Sequence, residues 1–88
     1  MCVGYDERHL SRALREKVCR AFAGYEQGDN QTFHGSYVPL KHFGSDHRVE
    51  SVMLEIRRDL YLNEGTRVVV PENLQRLADA LTTLVRTI

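Results

Sequence analysis

The tightest constraint on this chain is the run Val49 to Arg57, VESVMLEIR, in which Val52, Met53 and Leu54 are apolar in succession and Glu55 follows directly. Consecutive apolar residues suit a strand covered on both faces, as in the middle of an α/β sheet. Ligands of open α/β sheets bind outside the carboxyl ends of the strands, so Glu55 is better placed for a site than a carboxylate elsewhere along the run. Val49, Val52, Met53, Ile56 and Leu60 also fall at helical spacing, and periodicity alone would favour a helix. The residues by themselves leave both forms open.

An amphipathic helix is expected on either side. Asp6 is a candidate N-cap, with Glu7 in the first turn. Leu10, Ala13, Leu14, Val18, Ala21, Phe22 and Tyr25 then recur at three and four residues, which predicts a helix ending near Gly24 or Gly28. Its other face carries Arg8, Arg12, Arg15, Lys17 and Arg20, with Glu16 placed to pair with Arg12 and Arg20. Interleaved acids make this a solvated face in preference to a phosphate-binding stripe. Downstream, Leu60 to Leu62 read as a short helical turn stopped by Asn63-Glu64-Gly65. Thr66 to Val70 is β-branched enough for a short strand or an extended connector. Pro71 suits the first position of a helix, whose apolar stripe is Leu74, Leu77, Ala78, Leu81, Leu84, Val85 and Ile88 and is read as core. A very short strand is also expected at Met1 to Gly4.

Between the first helix and the central run lies a polar, turn-rich segment. Gly28-Asp29-Asn30 has turn chemistry, and Thr32 to Pro39 has extended character, with Phe33, Tyr37 and Val38 as core or rim contacts and Gly35 allowing close backbone approach. His34 fits either a donor to a substrate carboxylate or oxyanion, or an ordinary surface histidine. His47-Arg48-Val49-Glu50 has His-x-x-Glu spacing, but zinc needs three protein ligands converging from more than one segment, and chance spacing is the preferred account.

The order Asn30, Phe33, Gly35, Val38-Pro39, then Met53-Leu54-Glu55-Ile56 through Arg58 to Leu60-Tyr61 resembles the C-terminal part of the N-formylglutamate amidohydrolase family. That family shows an Asn-x-Pro-Phe-x-Gly segment, a strand with Gln-or-Met-x-Glu-Ile-Asn-Arg, and a closing Leu-Tyr. The resemblance favours a strand for Val49 to Arg57. It implies that Asn30, His34 and Gly35 line a substrate pocket, that Glu55 is the catalytic general base and proton donor, and that Arg58 clamps a substrate carboxylate. Thr32 stands where the family has proline and Arg57 where it has asparagine. The competing account of Glu55 is a carboxylate paired with Arg57 or Arg58 at a sheet edge. Complete family members are several times longer, have a zinc-dependent exopeptidase-like (phosphorylase/hydrolase-like) fold, and hydrolyse N-acyl amino acids, giving formate and glutamate in the reference case. Their zinc ligands belong to an N-terminal part, so no metal ligand is expected in this chain.

Eighty-eight residues allow one small domain, 1–88, near the size where a single core only just outweighs chain entropy. Twelve basic and twelve acidic side chains balance, so neither nucleic acid nor an anionic membrane is an expected partner. No apolar run approaches a membrane span and no basic-then-apolar leader opens the chain, which makes a cytoplasmic location the expectation. Cys2 and Cys19 are expected to remain reduced. The fold expected is α/β: two long amphipathic helices on a short sheet with Val49 to Arg57 at its centre, a fragment of the exopeptidase-like fold. Such a fragment is expected to be inactive alone. The alternative is a binding or assembly module that joins a second copy, or a chain carrying the metal ligands, through an exposed sheet edge.

Overall fold

Two helices, two small sheets and the loops between them make up the chain, whose computed structural model describes residues 1–88. Strand β1 is Cys2–Gly4, helix α1 is Arg12–Ala21, β2 is Gly28–Asp29, β3 is Met53–Glu55, β4 is Leu62–Asn63, β5 is Val68–Val69 and helix α2 is Pro71–Thr87. The first sheet has the order β2-β1-β3, and β4 and β5 form a separate antiparallel ladder. The architecture is therefore α/β with small sheets and two helices.

The central strand is β1, and this corrects the expectation for Val49 to Arg57. That run contributes only the three-residue β3, at the sheet's edge and antiparallel to β1. Its first half is held elsewhere by polar contacts. The Ser51 amide donates to the His9 carbonyl at 2.8 Å, the Ser51 hydroxyl to the Tyr37 carbonyl at 2.6 Å, and the His9 ring bonds the Val49 carbonyl at 2.9 Å. Beyond Glu55 the chain turns into a 3-10 turn, Arg58–Leu60. What remains free to pair is the stretch opposite Cys2, Val3 and Gly4.

The first helix also starts later than its apolar spacing predicts. Asp6 does cap, but it caps a 3-10 turn, Glu7–His9, by accepting from the Arg8 amide. Extended backbone at Leu10 separates this turn from α1, which Ser11 caps by accepting from the Leu14 amide at 3.1 Å. The helix stops at Ala21, with Phe22 as its C-cap. Glu16 meets Arg12 at 3.1 Å and Arg20 at 3.9 Å on the solvated face, as the spacing predicts. Pro71 opens α2, where the lack of an amide hydrogen costs nothing.

Val3 from β1, Val18 and Phe22 from α1 and its cap, and Leu77 and Leu84 from α2 form the buried core. Val3, Val18 and Phe22 are fully buried, and each such side chain contributes about 1.5–3 kcal/mol relative to exposure. Leu54 packs against this cluster, so the Val3 and Leu54 pair faces the helices. The α2 stripe is only partly core: Leu77 and Leu84 are buried, while Leu74, Ala78, Leu81, Val85 and Ile88 are exposed. Of the extended segment after Thr32 only Val38 is buried, and Phe33 and Tyr37 face solvent. No helix is long and apolar enough to cross a membrane, and both cysteines are free.

Candidate functional site

Residues directly opposite one another in a sheet share a face, so the register defines what the second face carries. Cys2 stands between Gly28 on β2 and Glu55 on β3, and Gly4 stands opposite Met53. Since Val3 and Leu54 face the helices, these residues face the other way. The loop from Asn30 to Gly35 folds over that same face. Cys2 donates its thiol hydrogen to the Phe33 carbonyl at 3.7 Å, and a Cβ at Gly4 would come within 2.6 Å of the Gly35 oxygen. Backbone hydrogen bonding at Phe33, then at Thr32, lowers the Cys2 pKa against the opposing effect of burial.

Asn30 holds the loop in place. Its backbone is left-handed (φ 50°), and its side-chain oxygen accepts from the Tyr5 amide at 2.9 Å and the Gly35 amide at 3.1 Å. Asparagine tolerates this backbone because its short amide bonds locally. Gly35 is itself at φ 75°, where a side chain would be strained. Two of the three residues that the resemblance assigns to a pocket, Asn30 and Gly35, are thus joined by a hydrogen bond. His34 lies exposed in the loop between them.

A second polar network anchors this region from the helical side. Arg15 of α1 reaches Asp29 at 2.6 Å, and Tyr5 donates its hydroxyl to the same carboxylate at 2.8 Å. The Arg15 guanidinium, then the Tyr5 hydroxyl, hold the Asp29 carboxyl below its ordinary range against desolvation. The same carboxylate pushes the Tyr5 phenol up.

Glu55 ends β3 with its side chain exposed. Arg57 pairs with Asp59 at 2.7 Å and Arg58 with Glu64 at 3.1 Å, and Glu55 makes no ion pair with either. The arginine that the family pattern marks as a clamp is thus engaged by Glu64. Arg58 sits in the 3-10 turn, beside a depression lined by Leu62, Glu64 and Arg67. A polar groove of about 340 Å³ instead runs past Met1, Cys2, Gly28, Gln31, Thr32 and Arg57. Alternation along the strand carries the signal for Arg57, since residues 55 and 57 share one side and residue 58 takes the other. Cys2, Gln31 and Thr32 had no such signal, because the register that assembles them joins three distant segments.

No three His, Cys, Asp or Glu side chains converge to hold a metal ion. The His47-x-x-Glu50 pair is spread apart in function: Glu50 accepts from the Ser11 amide at 2.5 Å at the start of α1, and His47 meets the His9 ring edge-on. Contact with Ser11 lowers the Glu50 pKa. The donor set for the family's zinc does not fit this chain's own residues.

The sheet face, its loop and the carboxylate at the strand end belong to a hydrolase family, whose model matches residues 1–62. That family is the N-formylglutamate amidohydrolases, and the chain belongs to it. The matched span ends in β4, so β5 and α2 lie beyond it. No curated protein and no solved structure matches the chain.

Proposed function

We propose that this chain supplies the substrate-side portion of an N-acyl amino acid amidohydrolase site and does not complete the reaction by itself. The observation that carries this reading is Glu55: an exposed carboxylate without an ion-pair partner, at the end of a strand and on the face covered by the Asn30 to Gly35 loop. In that role Glu55 takes a proton from water as the water oxygen attacks the acyl carbon. It returns the proton to the nitrogen as the C–N bond breaks. Asn30 and Gly35 shape the pocket wall, exposed His34 offers a donor from the same loop, and Arg57 in the groove joins Arg58 as a candidate for the substrate carboxylate. The exopeptidase-like fold is the frame in which this half-site fits, with zinc ligands supplied by another part of the protein or another chain.

Incubation of the 88-residue chain with zinc and N-formylglutamate is expected to release no formate. Turnover that Glu55→Gln abolishes would overturn the half-site reading and make the chain a complete enzyme. A second reading, an assembly module, draws support from the free outer edge of β3, which leaves backbone donors and acceptors for another strand. Proline at Leu54 removes one backbone donor. Under the assembly reading, Leu54→Pro reduces association with a metal-bearing partner chain.

A further inference from the structure

The tip of the β4–β5 hairpin lies past residue 62, where the family match ends, and it is tied down by its own bonds. Asn63 pairs with Val68, so the turn runs from Glu64 to Arg67. The Arg67 amide donates to the Asn63 carbonyl at 2.6 Å, and the Asn63 side-chain oxygen accepts from the Gly65 amide at 3.0 Å and the Thr66 amide at 3.2 Å. From this fixed turn Glu64 accepts from Arg58 Nε at 3.1 Å, which sets a carboxylate on the arginine that the family pattern marks as a clamp. Arg67 lines the same depression, about 350 Å³ in volume, with Leu62 as its apolar member. It has no ion-pair partner in the chain. Its backbone is left-handed at φ 59°, a region that glycine or asparagine enters at lower cost, so the turn itself gains nothing from an arginine there. Backbone of this kind is retained where the side chain has a task.

We propose that Arg58 and Arg67 together bind the carboxylate of an N-acyl amino acid, and that Glu64 holds the place of that carboxylate while the site is empty. The ligand class rests on the half-site reading above, whereas the two guanidiniums around one carboxylate rest on the hairpin alone. Glu64 takes its bond from the Nε of Arg58, which leaves the outer nitrogens of that guanidinium for a ligand. Two arginines against one glutamate also leave one positive charge in the depression uncompensated. An incoming carboxylate, planar and bidentate, accepts from Arg58 with one oxygen and from Arg67 with the other, and Glu64 turns out to solvent. The exchange is easy because the internal pair is exposed, with side chains 72% and 55% accessible, and a pair of that kind holds weakly. Glu64 is thus a built-in competitor that lowers the affinity of the clamp, and Arg67 is the second cation that lets the substrate win.

Amide chemical shifts of the isotope-labelled 88-residue chain, followed during titration with N-formylglutamate, test the proposal. Weak saturable binding is expected, with shifts concentrated at Arg58 and in the hairpin, and none with the uncharged diamide of the same compound. Arg67→Asn is expected to weaken binding about fivefold or more while the unfolding midpoint stays unchanged or rises, since asparagine suits the left-handed backbone. Glu64→Gln is expected to tighten binding about two- to fivefold, the range of an exposed ion pair. Equal affinity in the Arg67→Asn variant overturns the site, as does the absence of binding in all three proteins. Unchanged or weaker binding in the Glu64→Gln variant overturns the competitor role. None of these readings depends on turnover: formate released from the same samples with zinc, and abolished by Glu55→Gln, overturns the half-site reading and leaves the carboxylate site standing.

Discussion

The two faces of the β2-β1-β3 sheet are held by different physics. On the helical face, Val3 and Leu54 press against Val18, Phe22, Leu77 and Leu84, and burial does the work. On the opposite face, the Asn30 to Gly35 loop lies over Cys2 and Gly4, fastened by the two bonds to the Asn30 oxygen and the Cys2 contact with Phe33. A face closed by burial loses stability as a whole when a side chain is cut away. A face closed by a few directed bonds is expected to lose its local shape first, and the candidate catalytic carboxylate stands on that second face.

The largest effect is expected in the core. Phe22→Ala removes a fully buried ring and should cost about 3–5 kcal/mol, read as a fall in the urea midpoint. A chain of this size has little more to lose, and the variant should be largely unfolded. Next comes Asn30→Ala, which strips the acceptor from two backbone amides and leaves an alanine in left-handed backbone. About 1–3 kcal/mol is expected, concentrated in the loop. Limited proteolysis between residues 30 and 36 should accelerate more than global unfolding does. Equal acceleration of both would break the contrast between the faces.

The smallest effect is electrostatic and sets the acid response. Asp29 and Glu50 are held below their ordinary values of 3.8 and 4.5, by Arg15 and by Ser11 respectively. A depressed carboxylate contributes stability that is fully present above the ordinary value and is lost as pH falls through the folded value. Stability should therefore be flat from neutral pH to just above pH 4.5 and decline below it. Asp29→Asn should lower the plateau by about 1 kcal/mol or less, since the pair is partly exposed, and make the decline shallower. Parallel acid profiles for the two proteins would remove Asp29 from the account.

What the sequence made legible was periodic. The solvated face of α1, the pairing of Glu16 with Arg12 and Arg20, and Pro71 at the first turn of α2 all rest on spacing or on one residue's stereochemistry. The amidohydrolase family could be read from Met53 to Tyr61 because the order of residue types is specific there, and the matching family model bears it out. The identity of the central strand was not legible. Cys2 to Gly4 is too short to have a period, and its rank in the sheet comes from partners about 25 and 50 positions away. The apolar stripe of α2 showed that the helix was amphipathic but not which of its positions the core would take. The division between Leu77 with Leu84 and the outer five depends on where α1 lies against it.

His9 carried no signal in the sequence, yet it is fully buried, and its ring ties two distant points of the chain. The Gly44 amide donates to Nε2 at 2.8 Å, which leaves Nδ1 to carry the hydrogen given to the Val49 carbonyl at 2.9 Å. These contacts span 35 and 40 residues of sequence, so closing them requires a long loop to find its ends. The segment that delivers β3 and Glu55 to the sheet is thus expected to dock late in folding, after the local turn at Glu7–His9 has formed. In time as in space, the carboxylate arrives behind the scaffold that presents it.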